Sequence, residues 1–235
     1  MLREGRNDRE GEHVSYVEGI GTILSAAVAQ DAWGLREALK SDATWVLGLI
    51  VALAGGWIIA MIYKRVPWLD RHLERTFMVG SYLAIAFIIF WGVVDRFIFS
   101  NQQPWSTTIP PLLFMIMAWF GATYNVRVRS HLSFSEFRSR MGRPAQMACL
   151  CLDNILWMMF SVIVIVTTAR AAALSASNFQ IVLGTDNVMQ WWFLLTAPVA
   201  FLLMAARVIE NVYEDFENYR NGDELIKQTV IGGGE

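Results

Sequence analysis

Apolar residues in this chain are gathered into long blocks rather than spread in stripes. Five blocks stand out, at 43–63, 77–99, 107–126, 147–169 and 189–209. Each is apolar all round, which predicts a helix surrounded by lipid and other helices. A helix needs about 20 residues to cross ~30 Å of hydrocarbon at 1.5 Å per residue, and the blocks have that length. Backbone N–H and C=O groups in hydrocarbon must pair within their own segment, so helices are the default, and no alternating pattern argues for a barrel. The pattern predicts an all-α integral membrane protein, a bundle of about five transmembrane helices. Gly55, Gly56 and Pro198 fall inside blocks, where membrane helices tolerate them.

Composition agrees. The chain of 235 residues is 55% hydrophobic and 17% charged, against about 25% charged in ordinary soluble domains. Mean hydropathy is +0.39. Ten Trp and fourteen Phe suit a chain that meets the lipid–water boundary. The net charge of −2 offers no basic surface for nucleic acid. Cys149 and Cys151 lie two positions apart in one block, point in different directions on a helix, and read as packing residues.

The loops carry orientation. Lys64, Arg65, Arg71 and Arg75 lie between the first two blocks, and Arg127, Arg129, Arg138, Arg140 and Arg143 between the third and fourth. The 100–106 loop has no Lys or Arg, and the loop after the fourth block has only Arg170 at its edge. The excess of basic residues on the inner side of membranes then places both basic loops, and by parity the C-terminal tail, in the cytoplasm. The same parity places residues 1–42 outside. Their eight acidic and five basic residues do not forbid translocation. Residues 1–13 lack an apolar core and do not read as a cleavable signal peptide. Further on, Val14, Val17, Gly21, Leu24 and Val28 share one helical face, while Ser15, Glu18, Thr22 and Ser25 share another. Two readings follow: a helix lying in the interface, or a short sixth span. Residues 208–227 read as a helical extension of the fifth block, and the Gly-rich end at 232–235 as a flexible tail.

Candidate chemistry is sparse. His13, His72 and His131 all lie outside the blocks, so no histidine pair faces another across the bundle as a b-type haem requires. There is no phosphate-binding loop, no Cys/His metal spacing and no serine nucleophile elbow. No catalytic residue, cofactor or metal is therefore assigned. Among polar groups at depth, Asp153–Asn154 allows two readings, an ion or proton site and a hydrogen-bonded packing contact. Asp95–Arg96 ends the second block, where adjacent charges anchor a helix at the headgroups. Gly121–Ala122 and Ala169 to Ala173 permit close helix approach, within the chain or to a partner. Trp45, Trp68, Trp105, Trp191 and Trp192 sit near block ends, as an aromatic belt that resists tilting. Transporters that work alone show paired repeats and broken helices about a midplane site. Neither is visible here, which points to an accessory or scaffold role.

The stretch from Arg75 to about Glu210 resembles the small membrane subunit (DctQ-type) of TRAP, or tripartite ATP-independent periplasmic, transporters. The resemblance rests on Asp95-Arg96-Phe97-Ile98-Phe99 at a helix end, Pro104-Trp105 in the next loop, Trp119-Phe120-Gly121-Ala122 closing the next helix, then Arg127, Arg129 and His131-Leu132, two further helices and a mixed-charge end. The family's acidic pair after the Trp is absent, with Thr107-Thr108 there instead. The resemblance implies four units: a charged N-terminal region at 1–42, an added helix at 43–63, a four-helix membrane domain at 75–220 and a tail at 221–235. It implies a non-catalytic subunit of the bacterial inner membrane, set among membrane lipids beside a large membrane transport subunit. That larger subunit couples sodium to uptake of an organic acid delivered by a periplasmic substrate-binding protein. Arg96, Trp105, Gly121, Arg127, Arg129, His131 and Asp153 are the positions expected to serve subunit contact or anchoring. Two other classes remain open from the residues alone: a self-sufficient homo-oligomeric channel or small-solute carrier, and a membrane-bound redox or lipid enzyme.

Overall fold

A computed structural model describes residues 4–101, 103–129 and 138–225, with side chains from residue 15 onward. His131 and the flexible end expected at 232–235 lie outside the described residues. The elements are α1 (Glu4–Val28), α2 (Ala32–Ala38), α3 (Ala43–Ile50), a π-helical turn (Val51–Gly55), α4 (Gly56–Arg65), α5 (Pro67–Phe97), α6 (Trp105–Val128), α7 (Arg143–Ser177), α8 (Gln190–Leu194) and α9 (Thr196–Asn221). Among the described residues, five stretches are long and apolar enough to cross a membrane: Ala43–Arg65, Pro67–Phe97, Trp105–Val128, Arg143–Ser177 and Gln190–Asn221.

The helices outrun the apolar blocks where charge is handled inside the bundle. α5 begins at Pro67, whose missing N–H costs nothing at the first helical position. It carries Asp70 and Glu74 inward before its apolar run starts. α9 runs on to Asn221 and stops at Gly222, which takes the left-handed conformation with φ 86°. The fifth span is broken at Leu195. Pro198 explains the break, since its ring and missing N–H cannot serve the carbonyl of Leu194.

α9 is the hub. It packs against α4, α6 and α7, while α5 lies along α6. Ala197, Ala200, Met204, Ala205 and Ala206 of α9 are fully buried. Small side chains there let three helices approach one axis. The closest approach is at α4: a β-carbon on Gly56 would lie 3.2 Å from the backbone at Ala205 and Ala206, and one on Gly55 3.0 Å from Leu202. A β-carbon on Gly48 would come 2.4 Å from Val166 of α7. α5 is the opposite case, with almost none of its apolar window covered by the chain.

The N-terminal helices gather at the end of the bundle away from the basic loops. Ile23 of α1, Leu39 and Ala173 of α7 form a small core. Asp31 caps α2 through the N–H groups of Trp33 (3.1 Å) and Gly34 (3.0 Å). Arg170 donates to the carbonyls of Leu39 (2.7 Å) and Ser41 (3.3 Å) and stacks on Trp45. Val17, Leu24 and Val28 of the predicted apolar stripe face away from the bundle.

Gly56→Val should force α4 from α9 and destabilise the bundle by about 1–3 kcal/mol, the usual range for overpacking. Gly80→Ala, where nothing lies within 4 Å, should leave stability unchanged or slightly raised. Thermal unfolding of both variants in detergent checks the contrast.

Candidate functional site: an ion network at the basic end

Arg207 sits in α9 within the fifth apolar block and is 2% exposed. A guanidinium held away from water needs carboxylates and hydrogen-bond acceptors around it, and α5 and α9 supply them. Its Nε donates to Glu74 Oε1 at 2.8 Å, and its Nη2 lies 2.7 Å from the same oxygen. Its Nη2 also donates to the Asp70 carbonyl at 2.8 Å. Its Nη1 donates to Asp70 Oδ1 and, at 2.8 Å, to Glu210 Oε2. The ring of Tyr63 from α4 lies 3.9 Å from the guanidinium carbon, a cation–π contact.

Asp70 and Glu74 are four residues apart and so share a face of α5. Arg127, in the last turn of α6, donates to Asp70 Oδ2 at 2.9 Å and to the Asp70 carbonyl. Glu74 is fully buried, and its Oε2 has no hydrogen-bond partner; Arg127 Nη1 lies 3.9 Å from it. Two arginines therefore hold three carboxylates and tie α4, α5, α6 and α9 together.

Arg129 ends α6 in the left-handed conformation, φ 54°, which aims it along α9. It donates to Asp215 Oδ1 (2.6 Å), the Asn211 carbonyl (3.2 Å) and Glu214 (3.3 Å). The other Asp215 oxygen accepts from Asn154 of α7 at 2.9 Å, and Asn211 donates to the Val126 carbonyl at 3.1 Å. Asp153 takes Arg138 on both oxygens. That hydrogen bonding raises Arg138 above its already high ordinary value, against a smaller opposing effect of burial. Arg143 donates to the carbonyls of Asn218, Tyr219 and Gly222 and so caps the end of α9.

Of the positions singled out from the sequence, the structure brings Arg127 and Arg129 to this end and seats Asp153 nearby on Arg138. Arg96 is exposed at the far end of α5, over the Phe97 ring. Trp105 opens α6 beside a loop that presses on it. Gly184 there has φ 80°, and a β-carbon on it would lie 2.7 Å from Trp105 N, while Thr108 donates to the Leu183 carbonyl at 2.7 Å. Gly121 is half-buried, and a β-carbon on it would meet only Met78, at 3.9 Å. Sequence reasoning missed Arg207, Asp70, Glu74 and Tyr63. The available signal was Arg207 itself, the ionisable residue inside the block at 189–209.

These side chains hold one another and close the Arg-rich end of a helical membrane protein. The arrangement defines a polytopic membrane subunit built for rigidity rather than for bond chemistry. The chain belongs to the DctQ component family of tripartite ATP-independent periplasmic transporters, whose family model matches residues 85–218, more than half of it. It is 21% identical over 153 residues to the sialic acid TRAP transporter small permease protein SiaQ of Vibrio cholerae serotype O1, covering 65% of this chain and 87% of that protein. The chain is thus a small, non-catalytic membrane component of a tripartite transporter, a system that in general also has a large membrane subunit and a periplasmic binding protein. The span Ala43–Arg65 lies outside the matched stretch.

Arg207→Met should leave Glu74 buried without its partner and cost about 3–5 kcal/mol, the range for breaking a buried pair. Asp153→Ala, which removes a partly exposed partner, should cost under about 1 kcal/mol. Thermal melts of the two purified variants, run side by side, measure the difference.

Proposed function

We propose that this chain scaffolds the large transport subunit of a TRAP transporter during sodium-coupled uptake of an organic acid delivered by a periplasmic binding protein. The observation that carries the reading is where its charge goes. The deep polar groups of α5, α6, α7 and α9 are engaged in holding those helices to one another. A path for a solute would need such groups turned toward a cavity. What the chain offers outward is apolar area, above all on α5, where Tyr82, Leu83, Phe87 and Phe90 stand exposed.

In this reading the basic end faces the cytoplasm of the bacterial inner membrane, with the C-terminus, and α1 and α2 sit on the outer side. Arg96 and Trp105 anchor that outer boundary. Gly121 serves contact with the large subunit, and Arg127, Arg129 and Asp153 set the geometry of the inner end. His131 completes the set from the segment after α6. The substrate class is an organic acid, of which sialic acid, named for the Vibrio relative, is one.

Affinity purification of the full tagged chain from native membranes in mild detergent should recover a large membrane protein in stoichiometric amount. Recovery of the chain alone, as a defined homo-oligomer, would favour a self-sufficient channel or carrier instead. Gly121→Leu should lower recovery of the large subunit several-fold by blocking close helix contact. A β-carbon there already meets Met78 at 3.9 Å, so the melting temperature of the variant chain is measured alongside and separates a lost contact from a lost fold. Undiminished recovery with this variant refutes the role of Gly121.

A further inference from the structure

The two basic loops look equivalent along the chain, and the fold treats them differently. In the second, Arg127, Arg129 and Arg138 are bound to carboxylates, and Arg143 to the carbonyls that end α9. In the first, the stretch at 64–76 holds two acids, Asp70 and Glu74. Both turn inward to Arg127 and Arg207. Its cations, Lys64, Arg65, Arg71 and Arg75, are all exposed and make no ion pair among the described residues.

The geometry is that of a helical face. Trp68, Arg71, His72 and Arg75 follow the i, i+3, i+4, i+7 spacing, one position out of step with Asp70 and Glu74. Trp68 is 67% exposed and stacks with His72 at 5.5 Å, and the His72 Nδ1–H donates to the Trp68 carbonyl at 3.0 Å. Lys64 and Arg65 end α4 on the other side of the elbow at Val66–Pro67, and Lys64 lies over the Tyr213 ring. The elbow thus carries four exposed cations without an ion pair among the described residues, and an exposed indole, where two spans meet the boundary of their apolar runs.

We propose that this outward face of the α4–α5 elbow binds the phosphate headgroups of anionic phospholipids. Charge complementarity selects an anion, and the position at the end of two apolar spans selects one presented at the membrane surface. Trp68 supplies the apolar body and polar N–H that suit the headgroup level. All of its residues precede the matched stretch at 85–218, and the site does not depend on which side of the membrane the basic end faces.

Native mass spectrometry of the full chain in mild detergent, titrated with phosphatidylglycerol or phosphatidylcholine of matched acyl chains, tests the site. The wild type should retain phosphatidylglycerol preferentially. A basic side chain near an anionic surface strengthens association roughly fivefold, so removing two with Arg71→Gln/Arg75→Gln should reduce the preference by roughly 25-fold. Arg71→Lys/Arg75→Lys should keep it. Arg140→Gln/Arg220→Gln removes two exposed charges from the same end and should leave it unchanged. These substitutions are at exposed side chains, and circular dichroism verifies the helix content of each. Absence of a wild-type preference, or an equal loss in the Arg140/Arg220 control, overturns the proposal. So does an unchanged lipid preference in Arg71→Gln/Arg75→Gln with reduced recovery of the large subunit, which would make the face a protein contact.

Discussion

A guanidinium cannot sit in a helical bundle unless carboxylates come to meet it, and Arg207 draws them from two helices and an aromatic ring from a third. Glu74 and Asp70 reach it from α5, Glu210 from its own helix and the Tyr63 ring from α4. Much of the architecture follows. α5 must begin early, at Pro67, to present two acids one turn apart. α6 must end where Arg127 can neutralise the same acids. α9 must carry small residues toward its neighbours so that the ionic groups come within reach. Net gain in stability from such a cluster is small when measured against an apolar replacement, but breaking it is costly. The network therefore penalises any rearrangement of the helices at that end.

Rigidity of this kind fits the scaffold role proposed for this chain. A component that stays fixed needs its polar groups satisfied internally and its outward surface apolar, and this chain sorts its residues that way. The loop at 178–189 does the same at the opposite end, pressing Gly184 against the start of α6. The N-terminal helices are tied on by Arg170. At the α4–α5 elbow Lys64, Arg65, Arg71 and Arg75 are exposed and make no ion pair among the described residues.

The spans were legible in the sequence because an apolar block of about 20 residues has few other uses. The helix ends were less so. Charged residues at 67–76 and 210–221 read as loop or extension, and in the bundle Asp70, Glu74 and Asp215 pair with arginines distant in sequence. Pro198 read as tolerated within an unbroken span, and the structure instead interrupts that span at Leu195. Asp153–Asn154 drew notice as polar residues at depth, and its partners, Arg138 and Asp215, lie 15 and 61 residues away, which no local pattern reveals. Arg207 was hidden because a single arginine among apolar residues carries no motif. The equal look of the two basic loops was misleading for the same reason, since the difference between them is set by acids on other helices.

The central claim is that this chain supports transport without carrying substrate itself. The most direct test is reconstitution into proteoliposomes of the chain alone, the large subunit alone, and the two together, each with the binding protein, a labelled organic acid and a sodium gradient. The account predicts uptake with both subunits present and none with this chain alone. Uptake by this chain without the large subunit would contradict it.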